Sequence, residues 1–198
     1  MPEVIFILQK KILKLFYSFI CLVLLTNVAL SSSIRGLDGF EQYTIDAVKN
    51  ARQHNNMGNI YFDEKNYNAA LQEYEIAYNL TKNTHAGAPY IYNIARCMIK
   101  LGNYKQAQHI IEAAIKKDCI NITYYKALVD CYIAQNIHEK QLQRHLLDNK
   151  NPYNRVIAGL IYLKTGQRTE AKFIFDEFIN ENPEMIISED IRLILRDL

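Results

Sequence analysis

The chain has 198 residues, room for one ordinary domain or an array of small units. Apolar residues make up 49% and charged residues 22%, a balance that supports a packed core and excludes global disorder. The formal net charge is +2; residues 1–31 hold Lys10, Lys11, Lys14 and Glu3, and without them 20 basic face 20 acidic side chains. A nucleic-acid partner needs a basic excess, and this balance excludes one.

The N-terminal segment differs from the rest. Its three lysines precede an uncharged apolar stretch, Leu15–Leu30, and the small residues Ser31–Ser33 follow. A basic start, an apolar run and a small-residue exit are the parts of a secretory signal peptide, with cleavage expected after Ser31. No charge occurs from Leu15 to Ile34, and these 20 residues are also long enough to span a bilayer. Residues 1–31 are therefore expected to be a signal peptide or an uncleaved membrane anchor. In either case the lysines stay in the cytoplasm and the remainder is carried across. Localisation is then the periplasm or a secretory lumen, or the outer face of a membrane, and any membrane contact is confined to this segment. Ser31–Gly39 reads as a tether and Phe40–Asn50 as a flanking helix, giving a 32–50 connecting region.

From Ala51 onward one pattern returns. In Ala88–Asp118, Ile91, Ile94, Ala95, Met98 and Ile99 recur at helical spacing. After Gly102 a second set, Tyr104, Ala107, Ile110, Ile111, Ala114 and Ile115, does the same. Each set makes one apolar stripe, and Gly102 supplies the left-handed residue that ends the first helix. The order repeats in Asn55–Leu80 and Asn154–Glu184. Small residues stand at Gly58, Ala95 and Gly159; twelve positions on come Ala70, Ala107 and Ala171, and sixteen on come Tyr74, Ile111 and Phe175.

This arrangement resembles the tetratricopeptide repeat, a helical hairpin of about 34 residues with small residues where helices touch. Gly58 and Gly159 are 101 residues apart, close to the roughly 102 of three such units, so four units are expected over 51–184. The resemblance is uneven. Unit one has Lys65 where the turn glycine would stand, with Asn66 beside it to take the left-handed conformation. Three extra residues fall near Thr84–Pro89. Unit three, Ile122–Pro152, has Val129, Gln141 and Asp148 at the small-residue places and is about four residues short, so its second helix should be squat. Residues 185–198 should form a capping helix, N-capped by Ser188, with Ile191, Ile194, Leu195 and Leu198 on one stripe. The expected fold is all-α: a solenoid of about four hairpins with a C-terminal cap, preceded by a hydrophobic signal or anchor helix.

The resemblance also implies a function. First helices of such arrays line a concave groove that binds protein segments. The corresponding positions are Arg52, Asn55, Asn59 and Phe62; Tyr92, Asn93, Arg96 and Lys100; Lys126 and Asp130; and Tyr153, Val156 and Lys164. Of these, Arg52, Asn55, Asn59, Tyr92, Asn93, Arg96 and Lys126 are the expected partner-binding set. Their basic, amide and aromatic character suits a peptide or helix with acidic character. Family members that clamp the acidic C-terminal tails of cytosolic chaperones use two lysines, two asparagines and an arginine. Only Asn59 and Asn93 match; Asn55, Thr123 and Ala127 occupy the basic places, so that clamp is not expected.

No catalytic residue, cofactor or metal is expected. His54, His85, His109, His138 and His145 are dispersed, and neither a zinc-protease motif nor a phosphate loop occurs. Cys97, Cys119 and Cys131 include no C-x-x-C pair. Cys97 and Cys131 read as small core residues, with a disulfide between them left open, as is use of the sequons at Asn79 and Asn121. The chain reads as a non-catalytic adaptor outside the cytoplasm. The alternatives are an anchored assembly subunit of a membrane complex and, less favoured, an enzyme with a dispersed Glu/Asp/His site.

Overall fold

The computed structural model describes residues 45–198 except Asn149, and not the side chain of His85. The expected signal or anchor and the tether lie outside the described residues. The chain divides into two units, Met1–Ala47 and Val48–Leu198, and the fold below is that of the second.

Every regular element among the described residues is helical. The first helix, α1, covers 45–63. It is followed by α2 (Tyr67–Thr81), α3 (Ala88–Lys100), α4 (Tyr104–Lys117), α5 (Ile122–Ala134), α6 (His138–Leu147), α7 (Tyr153–Lys164), α8 (Arg168–Glu181) and α9 (Ile186–Arg196). The fold is an all-α solenoid of four hairpins, α1/α2 to α7/α8, with α9 as a fifth layer. Each second helix from α2 to α8 packs on the first helix of the next layer. No helix among the described residues is long and apolar enough to cross a membrane.

One turn is made four times. The left-handed residues are Lys65, Gly102, Asn136 and Gly166, with φ of 63°, 80°, 56° and 83°. In each case that residue's N–H reaches back three residues and the next N–H reaches back five: Gly102 to Ile99 O (3.1 Å) and Asn103 to Met98 O (2.9 Å), Lys65 to Phe62 O (3.0 Å) and Asn66 to Tyr61 O (2.8 Å). This is the Schellman arrangement. The residue that closes it then accepts the first bond of the following helix, as Asn103 O does from Ala107 N. Two residues thus end one helix and begin the next.

In unit one Lys65, not Asn66, takes the left-handed conformation. Asn66 sits at φ −83° and caps α2, accepting from Ala69 N through Oδ1. The side chain that could tolerate the turn is thus used for the cap one residue later. Lys65→Gly should raise stability by about 1 kcal/mol, the cost of a left-handed conformation at a residue with a Cβ. Urea midpoints of the two forms check this, and an unchanged or lower midpoint would contradict it.

Small residues sit where helices of one hairpin meet. A Cβ on Gly159 would lie 2.4 Å from Cε1 of Phe175, and one on Gly58 2.6 Å from Cε1 of Tyr74. Ala95 and Ile111 hold the corresponding places in unit two, both fully buried in one core cluster. The insertion after α2 forms a short 3-10 turn, His85–Gly87, and Lys117 at the end of α4 donates to Lys82 O (2.8 Å) and Thr84 O (2.6 Å).

Unit three departs from its neighbours as its sequence indicates. Helix α6 has ten residues, none of them buried. In the capping helix Ser188 is not the N-cap: Met185 holds that place, and Ser188 is buried inside the first turn. Its Oγ donates to Asn182 O at 2.6 Å and so ties α9 to the end of α8. Ile187 and Ile191 are fully buried, and Ile194, Leu195 and Leu198 pack beside them. Cys97 and Cys131 are buried free thiols, each pushed up by burial to about 11.

Candidate partner-binding face

The first helices α1, α3, α5 and α7 are bridged one to the next by their side chains. Between α1 and α3, Asn93 Nδ2 donates to Asn55 Oδ1 at 2.8 Å. Asn93 Oδ1 accepts from Arg96 at 3.1 Å, and the Arg96 guanidinium lies 4.2 Å from the centre of the Phe62 ring. A guanidinium held by an amide on one side and an aromatic face on the other is oriented while keeping donors for a further acceptor. Between α3 and α5, the rings of Tyr92 and Tyr124 meet at 4.9 Å. Between α5 and α7, Lys164 pairs with Asp130 at 2.8 Å. Lys126 borders a hollow of about 290 Å³ beside this pair, floored by Val129, Leu160 and Leu163.

The expected set is therefore largely brought together. Asn55, Asn93 and Arg96 form one network, Tyr92 stands beside it and Lys126 lies on the next helix. Arg52 is exposed on α1. Asn59 is exposed as well; its Oδ1 accepts from the Tyr74 hydroxyl at 2.8 Å, which fixes the amide and leaves its nitrogen as a donor for a partner. Burial pushes the Tyr74 phenol up to about 12, so it stays a donor at neutral pH. Two further positions fall elsewhere. Val156 is fully buried, and Tyr153 stacks on Tyr125 and turns into a separate cleft beside Cys119 and His145. Tyr124 is buried in the core, so of the tilted pair only Tyr92, itself partly buried, lends aromatic surface to this face.

Chemically this face offers hydrogen bonds, cations and aromatic edges. Among the described residues, no group of three His, Cys, Asp or Glu side chains is placed to hold a metal.

Residues 51–84 and 88–116 match the tetratricopeptide repeat, and 154–184 match a second description of the same repeat; unit three lies between the matches. These stretches of the chain are tetratricopeptide repeats, and such repeats imply a role in protein–protein interaction. No curated protein matches significantly. Among solved structures, the Arabidopsis OM64 TPR domain is 18% identical, with 76% of this chain and 98% of that one covered and a TM-score of 0.41. Pseudomonas aeruginosa pilF is 15% identical, covering 73% and 66%, at a TM-score of 0.47. YrrB, described as a TPR protein with an unusual peptide-binding site, is 18% identical, covering 82% and 87%, at 0.41.

Proposed function

We propose that this protein is a non-catalytic adaptor outside the cytoplasm that holds an extended peptide or helix of acidic character on the α1/α3/α5/α7 face. The observation that carries the reading is the Asn55–Asn93–Arg96 network beside the Tyr92–Tyr124 pair. It orients a cation beside the partly exposed ring of Tyr92, which buried Tyr124 backs from the core, a combination that anchors charged segments. Lys126 lies beyond the tyrosine pair, so a bound strand can meet a second cation further along. Export rests on the lysines and apolar run of residues 1–31.

Replacing Arg96 and Lys126 by Glu together should weaken capture of acidic peptides at least about ten-fold, since like-charge juxtaposition opposes the same ligand. Selection of peptides on the immobilised full-length chain supplies the ligands, and titration calorimetry compares the two proteins at equal helical content. Equal affinity would reject the face. The uncharged stretch Leu15–Ile34 supports the second reading, an anchored subunit of a membrane complex. Mass spectrometry of the native N-terminus separates the two: loss of residues 1–31 means release, and an intact start means anchoring.

A further inference from the structure

Helix α6 carries the wrong residue type at each place where its hairpin should close. Counting starts from Val129, which stands where the other hairpins have Gly58, Ala95 and Gly159. Twelve residues on comes Gln141 in place of Ala70, Ala107 and Ala171; sixteen on comes His145 in place of Tyr74, Ile111 and Phe175. A long amide at the small-residue place holds α6 off α5, and a polar ring replaces the apolar filling. Of the described side chains, three buried nitrogen or oxygen atoms have no hydrogen-bond partner. All three are on this helix: His138 Nδ1, Gln141 Oε1 and His145 Nε2. Each has given up water on folding without gaining a replacement.

The packing reflects this. Helices α4 and α8 lie chiefly on their own hairpin partners, whereas α6 lies chiefly on α7 and touches α5 little. The array closes without it. Helices α5 and α7 pack directly on one another, joined by the Tyr125–Tyr153 stack at 5.6 Å and the Asp130–Lys164 pair at 2.8 Å. Continuity from unit three to unit four therefore runs through the first helices and bypasses α6. What holds α6 in place is slight. His145 Nδ1 meets Asn154 Oδ1 at 2.8 Å, the Tyr132 ring lies 6.2 Å from the imidazole, and Leu142 packs on the core while only partly buried. None of the ten residues of α6 is buried, and Leu147 at its end is 81% exposed. Eight residues of α5 and seven of α7 are buried.

We propose that α6 is a flap. It swings away from α5 and α7 as one unit while the rest of the array stays folded, and it uncovers Tyr132 and Asn154, which are buried in the closed form. Opening returns three stranded atoms to water and loses little apolar burial, so it takes far less free energy than unfolding either neighbour. The flap thus controls access to this side of unit three.

The test is amide hydrogen exchange of the ¹⁵N-labelled full-length chain, followed at a series of urea concentrations below the unfolding transition. The interior amides of α6 should exchange at one common rate, at least about 100-fold faster than those of α5 and α7. Their exchange should quicken with urea, less steeply than global unfolding does, because the opening exposes a limited surface. Gln141→Met keeps the length of the side chain and removes the stranded oxygen. It should slow exchange of α6 at least about five-fold, since an unpaired buried acceptor no longer favours the open form, and leave α3 and α4 unchanged. Three results would each overturn the proposal: α6 exchanging together with α5 and α7, α6 exchanging from its ends inward without response to urea, or Gln141→Met exchanging as fast as the parent or faster.

Discussion

Phe175→Ala should cost about 3–5 kcal/mol of stability, the range for emptying a fully buried aromatic site. The ring is fully buried and lies directly on Gly159, where a Cβ would come within 2.4 Å of Cε1. Gly159→Ala should also destabilise, though by less. A methyl group there overpacks the contact at about 1–3 kcal/mol, partly offset by the roughly 1 kcal/mol that alanine contributes over glycine within a helix. The ring cannot swing away, because it has no exposed side to move into. The informative experiment is the cycle. In the double variant the alanine methyl enters space the ring has left, so the combined cost should fall short of the sum by about 1 kcal/mol or more. Urea unfolding followed by circular dichroism measures all four proteins. Strict additivity would mean that residues 159 and 175 do not touch, and the repeat register would be wrong.

The second large effect concerns the attachment of α6. Asn154 is buried and joins His145 on α6 to the Asp148 carbonyl. Asn154→Leu keeps the approximate volume but strands the His145 Nδ1–H, a loss of about 1–3 kcal/mol. Because an array is held by nearest-neighbour contacts, the damage should stay near unit three. Hydrogen exchange of α6 amides should accelerate while α3 and α4 remain protected; uniform acceleration would contradict the local character of this tie. The same histidine makes stability pH-dependent. Its folded value is lowered by burial, with Arg144 adding to the effect and Asn154, Asp148 and Glu112 opposing it. The unfolded chain, titrating near 6.5, therefore binds the proton more readily than the folded one. Stability should fall as pH drops below about 6.5 and continue to fall to the folded value. Urea midpoints between neutral pH and pH 5 should show this, and His145→Phe should flatten that part of the curve. An identical slope in the variant would assign the dependence to other groups.

How much of this could be read from the chain depended on whether one residue type carried the signal. Gly102 and Gly166 marked their turns because glycine takes a left-handed φ at little cost. Lys65 and Asn136 make the same turn without glycine; asparagine tolerates the conformation, whereas at Lys65 the surrounding hairpin imposes it. The pairing of Gly58 with Tyr74 and of Gly159 with Phe175 was legible from spacing alone, since a helix–helix contact fixes both partners. The shortness of α6 was also legible. That His145 occupies the large-residue place was available from the same count of sixteen, but a polar residue does not announce itself in an apolar pattern. Ser188 misled because a serine before acids reads as a cap, whereas here its hydroxyl serves the preceding helix. The amide and cation positions on the first-helix face followed from the repeat. Their linkage could not, because hydrogen bonds between helices 38 residues apart in register, as for Asn55 and Asn93, depend on how the layers stack.

The claim that the first-helix face captures a partner is tested most directly by site-resolved photocrosslinking in native cells. A benzoylphenylalanine at Tyr92 or at Lys126 should yield the same crosslinked partner, and the yield should collapse when Arg96 is changed to Glu. The same probe at Phe173, exposed on the second helix of unit four, should yield none. Capture from position 173 with nothing from 92 or 126 would place the contact on the opposite helices and contradict the account.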